Sequence, residues 1–167
     1  MELRQADITR ITEALRSGQS LLVLGESGCG KSHLGMQVGK KLEGYRFALV
    51  SYNGAAKETL TEIADQLNLS TLTADEKPKP LTAAQLRDAL KDELCTTQTL
   101  LIADDTHRWS SSLRYWLEDL FRAGVLLLLL ATNPPPKDIF LKLPVVELQP
   151  ISSDDIRAVM LREAMDQ

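Results

Sequence analysis

The stretch Leu21-Leu22-Val23-Leu24-Gly25-Glu26-Ser27-Gly28-Cys29-Gly30-Lys31-Ser32 decides how this chain is read. Four apolar residues run straight into a glycine-rich turn, and a helical pattern opens at Lys31 and continues to Leu42. Strand, glycine-rich turn and helix N-terminus in that order make an anion cradle. Unpaired backbone N–H groups and the helix dipole converge there on one point. The glycines leave room for a phosphate where a Cβ would otherwise stand. The predicted contact set is Gly25, Glu26, Ser27, Gly28, Cys29, Gly30, Lys31, Ser32 and the adjoining His33. Lys31 is expected to reach the β- and γ-phosphates, and the Ser32 hydroxyl to ligate Mg²⁺.

Two further stretches belong with it. Thr99-Leu100-Leu101-Ile102-Ala103 reads as a fully buried parallel strand that ends in Asp104-Asp105. A carboxylate at the C-terminal end of such a strand can hold Mg²⁺, which makes Asp104 the candidate metal residue. Asp105, one residue on, is the candidate for orienting or deprotonating an attacking water. The plainer alternative is that both simply begin a turn. Val125 to Ala131 is apolar throughout, too short to cross a bilayer, and reads as a central strand covered on both faces. It runs into Thr132-Asn133. Asn133 is expected at the same sheet edge as Asp104, where its amide could bond the γ-phosphate or the lytic water. The alternative is a turn before Pro134-Pro135-Pro136.

Around these motifs strands alternate with helices. Ile8, Ile11 and Leu15 predict an amphipathic helix stopped at Gly18. Strands are expected at about 20–25, 47–52, 99–104, 125–131 and 145–148. Helices are expected after the glycine-rich turn, over Leu60 to Leu67, from an N-cap at Thr82 to about Leu94, and from Ser111 to Arg122. Residues 70–81 read as a loop. A helical turn is expected near Asp138, and Ser152 or Ser153 is expected to cap a last helix. The alternation implies a parallel sheet, and ligands in such sheets sit at the carboxyl ends of the strands. All three polar clusters fall there.

The whole chain has 167 residues, 44% of them hydrophobic, enough for one domain with a proper core. Its formal net charge of −4 argues against a broad nucleic-acid-binding face on this chain alone. Met1 to Arg16 is charged and has no apolar segment of the signal-peptide kind, so a cytoplasmic protein without membrane contact is expected. Two cysteines predict no disulfide framework, and both Cys29 and Cys95 are expected as reduced thiols. Cys29 could still be a redox or alkylation target, since amides that bind anions also favour a thiolate. His33 and His107 have no metal-ligand partner at useful spacing.

GESGCGKS, LLIADD and LLLLLATN, in that order and spacing, resemble the Walker A, Walker B and sensor 1 motifs of the AAA+ ATPases and their P-loop relatives. The resemblance covers about residues 8–165. It implies a three-layer α-β-α P-loop NTPase core with a five-stranded parallel sheet. In that core the sensor strand separates the Walker A strand from the Walker B strand. It implies ATP with Mg²⁺ as cofactors, Lys31, Asp105 and Asn133 as catalytic residues, and Ser32 and Asp104 as metal ligands. It also implies self-assembly on ATP binding. KETLTEIADQLNL and TLLIADDTHRW look like the branch with origin-recognition and transposition-regulator ATPases. DNA or a DNA-processing protein is the partner this implies. The Asp-Asp ending also resembles the STAND signalling ATPases. Residues 1–150 are expected to be the ATPase core and 151–167 the start of a truncated helical lid.

Two departures bear on activity. Most AAA+ enzymes have Asp-Glu where this chain has Asp104-Asp105. No arginine lies between Arg122 and Arg157, where the family presents its arginine finger, and Lys137 and Lys142 are the only cations there. In GTPases a finger contributes about 10³–10⁵ in rate, or roughly 4–7 kcal/mol of barrier, and lysine lacks its planar two-donor geometry. Slow turnover by the isolated chain is the expectation, with Arg108, Arg114 or Arg122 as residues that could act on a neighbour. Three readings follow: an ATP-driven assembly switch in a DNA transaction, a STAND-like signalling switch, and a nucleotide-binding module that hydrolyses little.

Overall fold

The structure, a computed structural model, describes residues 4–26, 28–133, 143–149 and 161. The chain order is α1 (Gln5–Arg16), β1 (Leu21–Leu24), α2 (Lys31–Lys41), β2 (Arg46–Ser51), α3 (Ala56–Gln66), α4 (Ala83–Thr96) and β3 (Thr99–Asp104). A 3-10 turn (Thr106–Arg108), α5 (Ser111–Arg122), β4 (Leu126–Ala131) and β5 (Val145–Glu147) follow. The expected helical turn near Asp138 and the capped helix after Ser152 lie outside the described residues. So does the lid expected over 151–167, save Leu161.

The strands form one five-stranded sheet in the order β2-β3-β4-β1-β5, and each neighbouring pair is parallel. β4, the strand leading to Thr132-Asn133, lies between β1 and β3 as the resemblance implied. Period-two alternation divides the sheet between two cores. Leu101, Ala103, Leu127 and Leu129 face α3, α4 and α5, packing with Leu60, Ile63, Leu90 and Leu117. Leu100, Ile102, Leu128 and Leu130 face α1 and α2, packing with Ile11, Leu15, Leu34 and Val38. Every residue of β3 and β4 is therefore buried, the reason these strands are apolar throughout rather than alternating. No described helix is long and apolar enough to cross a membrane.

Local chemistry sets the element ends. Gly18, at φ +91°, follows the end of α1. Thr82 caps α4 through a reciprocal box. Its hydroxyl accepts from the Gln85 amide at 3.2 Å, and the Gln85 side chain accepts from the Thr82 amide at 2.9 Å. Ser110 caps α5. The stretch 70–81 holds no helix or strand, as expected of a loop. It folds back on itself through an antiparallel bridge between Leu72 and Pro80, with Thr73 N–H bonded to Lys79 O and Leu81 N–H to Thr71 O, both at 2.8 Å. Prolines at 78 and 80 read as strand breakers, but the bonds use the amides of Thr73 and Leu81, so the missing proline donors cost nothing.

Candidate functional site

Parallel strands emerging side by side bring distant residues to one edge. β1 ends at Leu24 and enters the loop 25–30, which α2 closes. Gly30, the residue before α2, has φ +87°, a left-handed conformation that glycine adopts without strain. Gly25 allows a close approach instead. A Cβ there would stand 2.6 Å from Cys29 Sγ and 3.3 Å from Leu148 Cβ. The Gly25 amide is bonded to Ala131 O at 3.1 Å, which ties the loop's first residue to the end of β4.

Lys31 is buried at the start of α2, and its Nζ donates to Gly25 O at 2.6 Å and Glu26 O at 3.0 Å. Cys29 Sγ lies 3.9 Å from the same nitrogen. One helical residue on, the Ser32 hydroxyl donates to Asp104 Oδ2. Ser32 and Asp104 are separated by 72 positions in the chain. Sheet order alone brings them together, since β4 is the only strand between β1 and β3.

The end of β3 is held from three directions. The Asp105 amide donates to Asp104 Oδ1 at 2.9 Å, and Trp109 Nε1 donates to Asp104 O at 2.8 Å. The Thr106 hydroxyl, fully buried, donates to Leu130 O at 3.1 Å. Asp105 itself takes a left-handed conformation (φ 50°, ψ 43°), which turns the chain into the 3-10 segment. The two aspartates thus do begin a turn, and the turn leaves both facing one cavity. That cavity, of about 360 Å³, is lined by Gly28, Gly30, Lys31, Ser32, His33, Asp104, Asp105 and Thr132. Its size is that of a small-molecule site.

The predicted residues divide accordingly. Gly28, Gly30, Lys31, Ser32, His33, Asp104 and Asp105 line the cavity. Gly25, Glu26 and Cys29 belong to the loop without lining it, and Ser27 lies outside the described residues. Asn133 is exposed and not among the lining residues, whereas Thr132 is. The Thr132 amide in turn donates to His107 Nδ1 at 3.3 Å. A uniformly apolar run carries no mark of where its strand stops, so the sequence does not distinguish Thr132 from Asn133. His107, which the sequence marks only as lacking a metal-ligand partner, bonds to the residue that borders the site.

The profile of one family, described as the AAA domain, matches residues 14–137. This chain belongs to the AAA domain family. The match takes in the loop, both aspartates and the end of β4, and membership brings with it an ATP-binding AAA+ P-loop core. Among proteins with curated descriptions, none matches the sequence. Solved structures match the fold. Cdc6p from Pyrobaculum aerophilum superposes with a TM-score of 0.73 at 17% identity, over 98% of this chain and 49% of that one. A chain of the Drosophila ORC bound to DNA matches with a TM-score of 0.58 at 16% identity, over 94% and 97%. A chain from Drosophila ORC bound to AT-rich DNA and Cdc6 matches with a TM-score of 0.55 at 15% identity, over 90% and 58%. This AAA domain spans about half the length of the first of these proteins.

Proposed function

We propose that this AAA domain is an ATP-dependent assembly switch that hydrolyses ATP slowly and acts in a DNA transaction such as replication or transposition. The observation that carries the reading is the hydrogen bond from the Ser32 hydroxyl to the Asp104 carboxylate at the mouth of the phosphate loop. It joins the two residues that a P-loop ATPase uses to hold its metal.

The donor set fits ATP and Mg²⁺. The loop around Gly28 and Gly30 and the N-terminus of α2 offer amides to the phosphate chain. Lys31 adds a point charge for the terminal phosphates, and its bonds to Gly25 O and Glu26 O are the ones a triphosphate must replace. Ser32 and Asp104 would hold Mg²⁺, as one hydroxyl and one carboxylate beside phosphate oxygens suit a hard cation that keeps much of its water. The metal supplies neutralisation of charge on the phosphates. Asp105 is the group that orients or accepts a proton from the attacking water, and Thr132 or Asn133 senses the terminal phosphate from the end of β4. The likeness in fold to Cdc6p and to ORC bound to DNA makes DNA and neighbouring AAA+ chains the partners of first choice. A cytoplasmic location accords with two thiols and no described membrane-crossing helix.

One observation favours a second reading, a nucleotide-binding switch of the STAND kind with little hydrolysis. The carboxylate after Asp104 is the short one, and no arginine stands between Arg122 and Arg157. The test uses a fluorescent ATP analogue with Mg²⁺, sedimentation with and without duplex DNA, and phosphate release. Binding that is lost in Lys31→Ala, with assembly on DNA that needs ATP, is the expected result. Binding without assembly on DNA in a full-length protein would leave only the second reading. No binding at all would overturn both.

A further inference from the structure

Arg4 precedes α1, far from the loop in sequence, yet its Nη2 donates to Cys29 O at 3.2 Å. Its Nη1 lies 3.6 Å from Asp7 Oδ2, and the side chain keeps only 12% of its exposure. Its Nε is buried with no partner. Burial with one donor unmet is a cost that a solvent-facing arginine at a helix start would not incur.

The carbonyl it holds has a particular place. In a trans peptide the C=O and the next N–H point in opposite directions. The Cys29 carbonyl shares its plane with the Gly30 amide, and Gly30 lines the cavity. A carbonyl drawn towards Arg4 turns that amide the other way. No described residue accepts a hydrogen bond from it. Gly30 sits at φ +87°, but glycine tolerates the flipped peptide about as readily. The flipped form would aim a carbonyl at an incoming anion. Sterics therefore do not choose between the two states, and a charged donor on the carbonyl does.

We propose that Arg4 is a positioning residue for the phosphate loop, holding the Cys29 carbonyl outward so that the Gly30 amide stays turned to the cavity. The idea rests on the nucleotide reading of that cavity, and it links the segment ahead of α1 to ligand affinity.

The test compares the parent with Arg4→Met, Arg4→Lys and Leu15→Ala. Leu15 is fully buried near the other end of α1, so its truncation loosens the same helix without touching the loop. N-methylanthraniloyl-ATP with Mg²⁺ is the binding probe, and amide ¹⁵N order parameters at Cys29 and Gly30 are measured in nucleotide-free protein. Arg4→Met should weaken binding by about tenfold and lower the order parameter at Gly30. Arg4→Lys should recover much of both, and Leu15→Ala should leave both near the parent. Parental affinity in Arg4→Met, or an equal loss in Leu15→Ala, would overturn the proposal. If the parent binds no nucleotide, the functional reading fails by itself. The order parameters then decide the anchor: a drop in Arg4→Met sustains it and no change refutes it.

Discussion

At the scale of single residues the site rests on a few exacting positions. Among the described residues nothing holds the Asp105 carboxylate, while Asp104 engages Ser32 and its neighbour's amide. Asp105→Asn should therefore keep ATP affinity within about twofold and lose most phosphate release, as expected of a proton-accepting or water-orienting group. Unchanged turnover would remove Asp105 from the chemistry. Gly25→Ala should act differently. The added methyl would stand 2.6 Å from Cys29 Sγ, closer than a relaxed contact allows, and tight at 3.3 Å against Leu148 Cβ, with Lys31 Cδ 3.5 Å away. Thermal melting should report a loss of about 1–3 kcal/mol, with weaker ATP binding because the loop under Lys31 must shift.

At the scale of elements, the free edge of β2 is guarded. The Gln66 side chain accepts from the Leu49 amide at 2.8 Å and donates to the Leu49 carbonyl at 2.7 Å, so an amide stands where a further strand would pair. Gln66→Leu should lower stability by about 1 kcal/mol and make the protein self-associate with rising concentration, read by melting and light scattering. A monodisperse variant with the parental midpoint would show that the edge is guarded by other means. The α4–α5 contact is weaker. Lys91 bonds Asp119 at 2.8 Å, and that bond raises the Lys91 pKa above its ordinary 10.5. A raised lysine stabilises fully below its unfolded value and ceases to do so as pH climbs through the folded one. Lys91→Met should accordingly lower the melting midpoint by a small, constant amount below about pH 9, as fits an exposed ion pair, and the deficit should shrink as pH climbs past 10.5.

At the scale of the molecule, the proposed assembly switch predicts turnover that depends on what a neighbour supplies. Arg114 bonds Trp109 O at 2.6 Å and Arg122 pairs with Glu118 at 2.7 Å. Arg108 is exposed on the 3-10 turn beside Asp105, and its side chain has no hydrogen-bond or ion-pair partner among the described residues. If assembly completes the site, phosphate release per chain should rise with protein concentration, and Arg108→Ala should flatten that rise without weakening ATP binding. A rate per chain independent of concentration would exclude a contribution from a neighbour.

The sequence by itself determined the order of the described helices and strands, the parallel sheet and the glycine-rich loop. These follow from local rules: period, caps and glycine spacing act over a few residues and are written there. Thr82 as a cap, the end of α1 near Gly18 and the buried runs of β3 and β4 were all legible for that reason. Only the tertiary structure decided which residues meet. Ser32 reaches Asp104 because β4 spaces their strands, and Arg4 reaches Cys29 because α1 packs beside α2. Thr132 borders the cavity because β4 stops at Ala131. Such contacts depend on packing between distant segments, and no local pattern encodes their register.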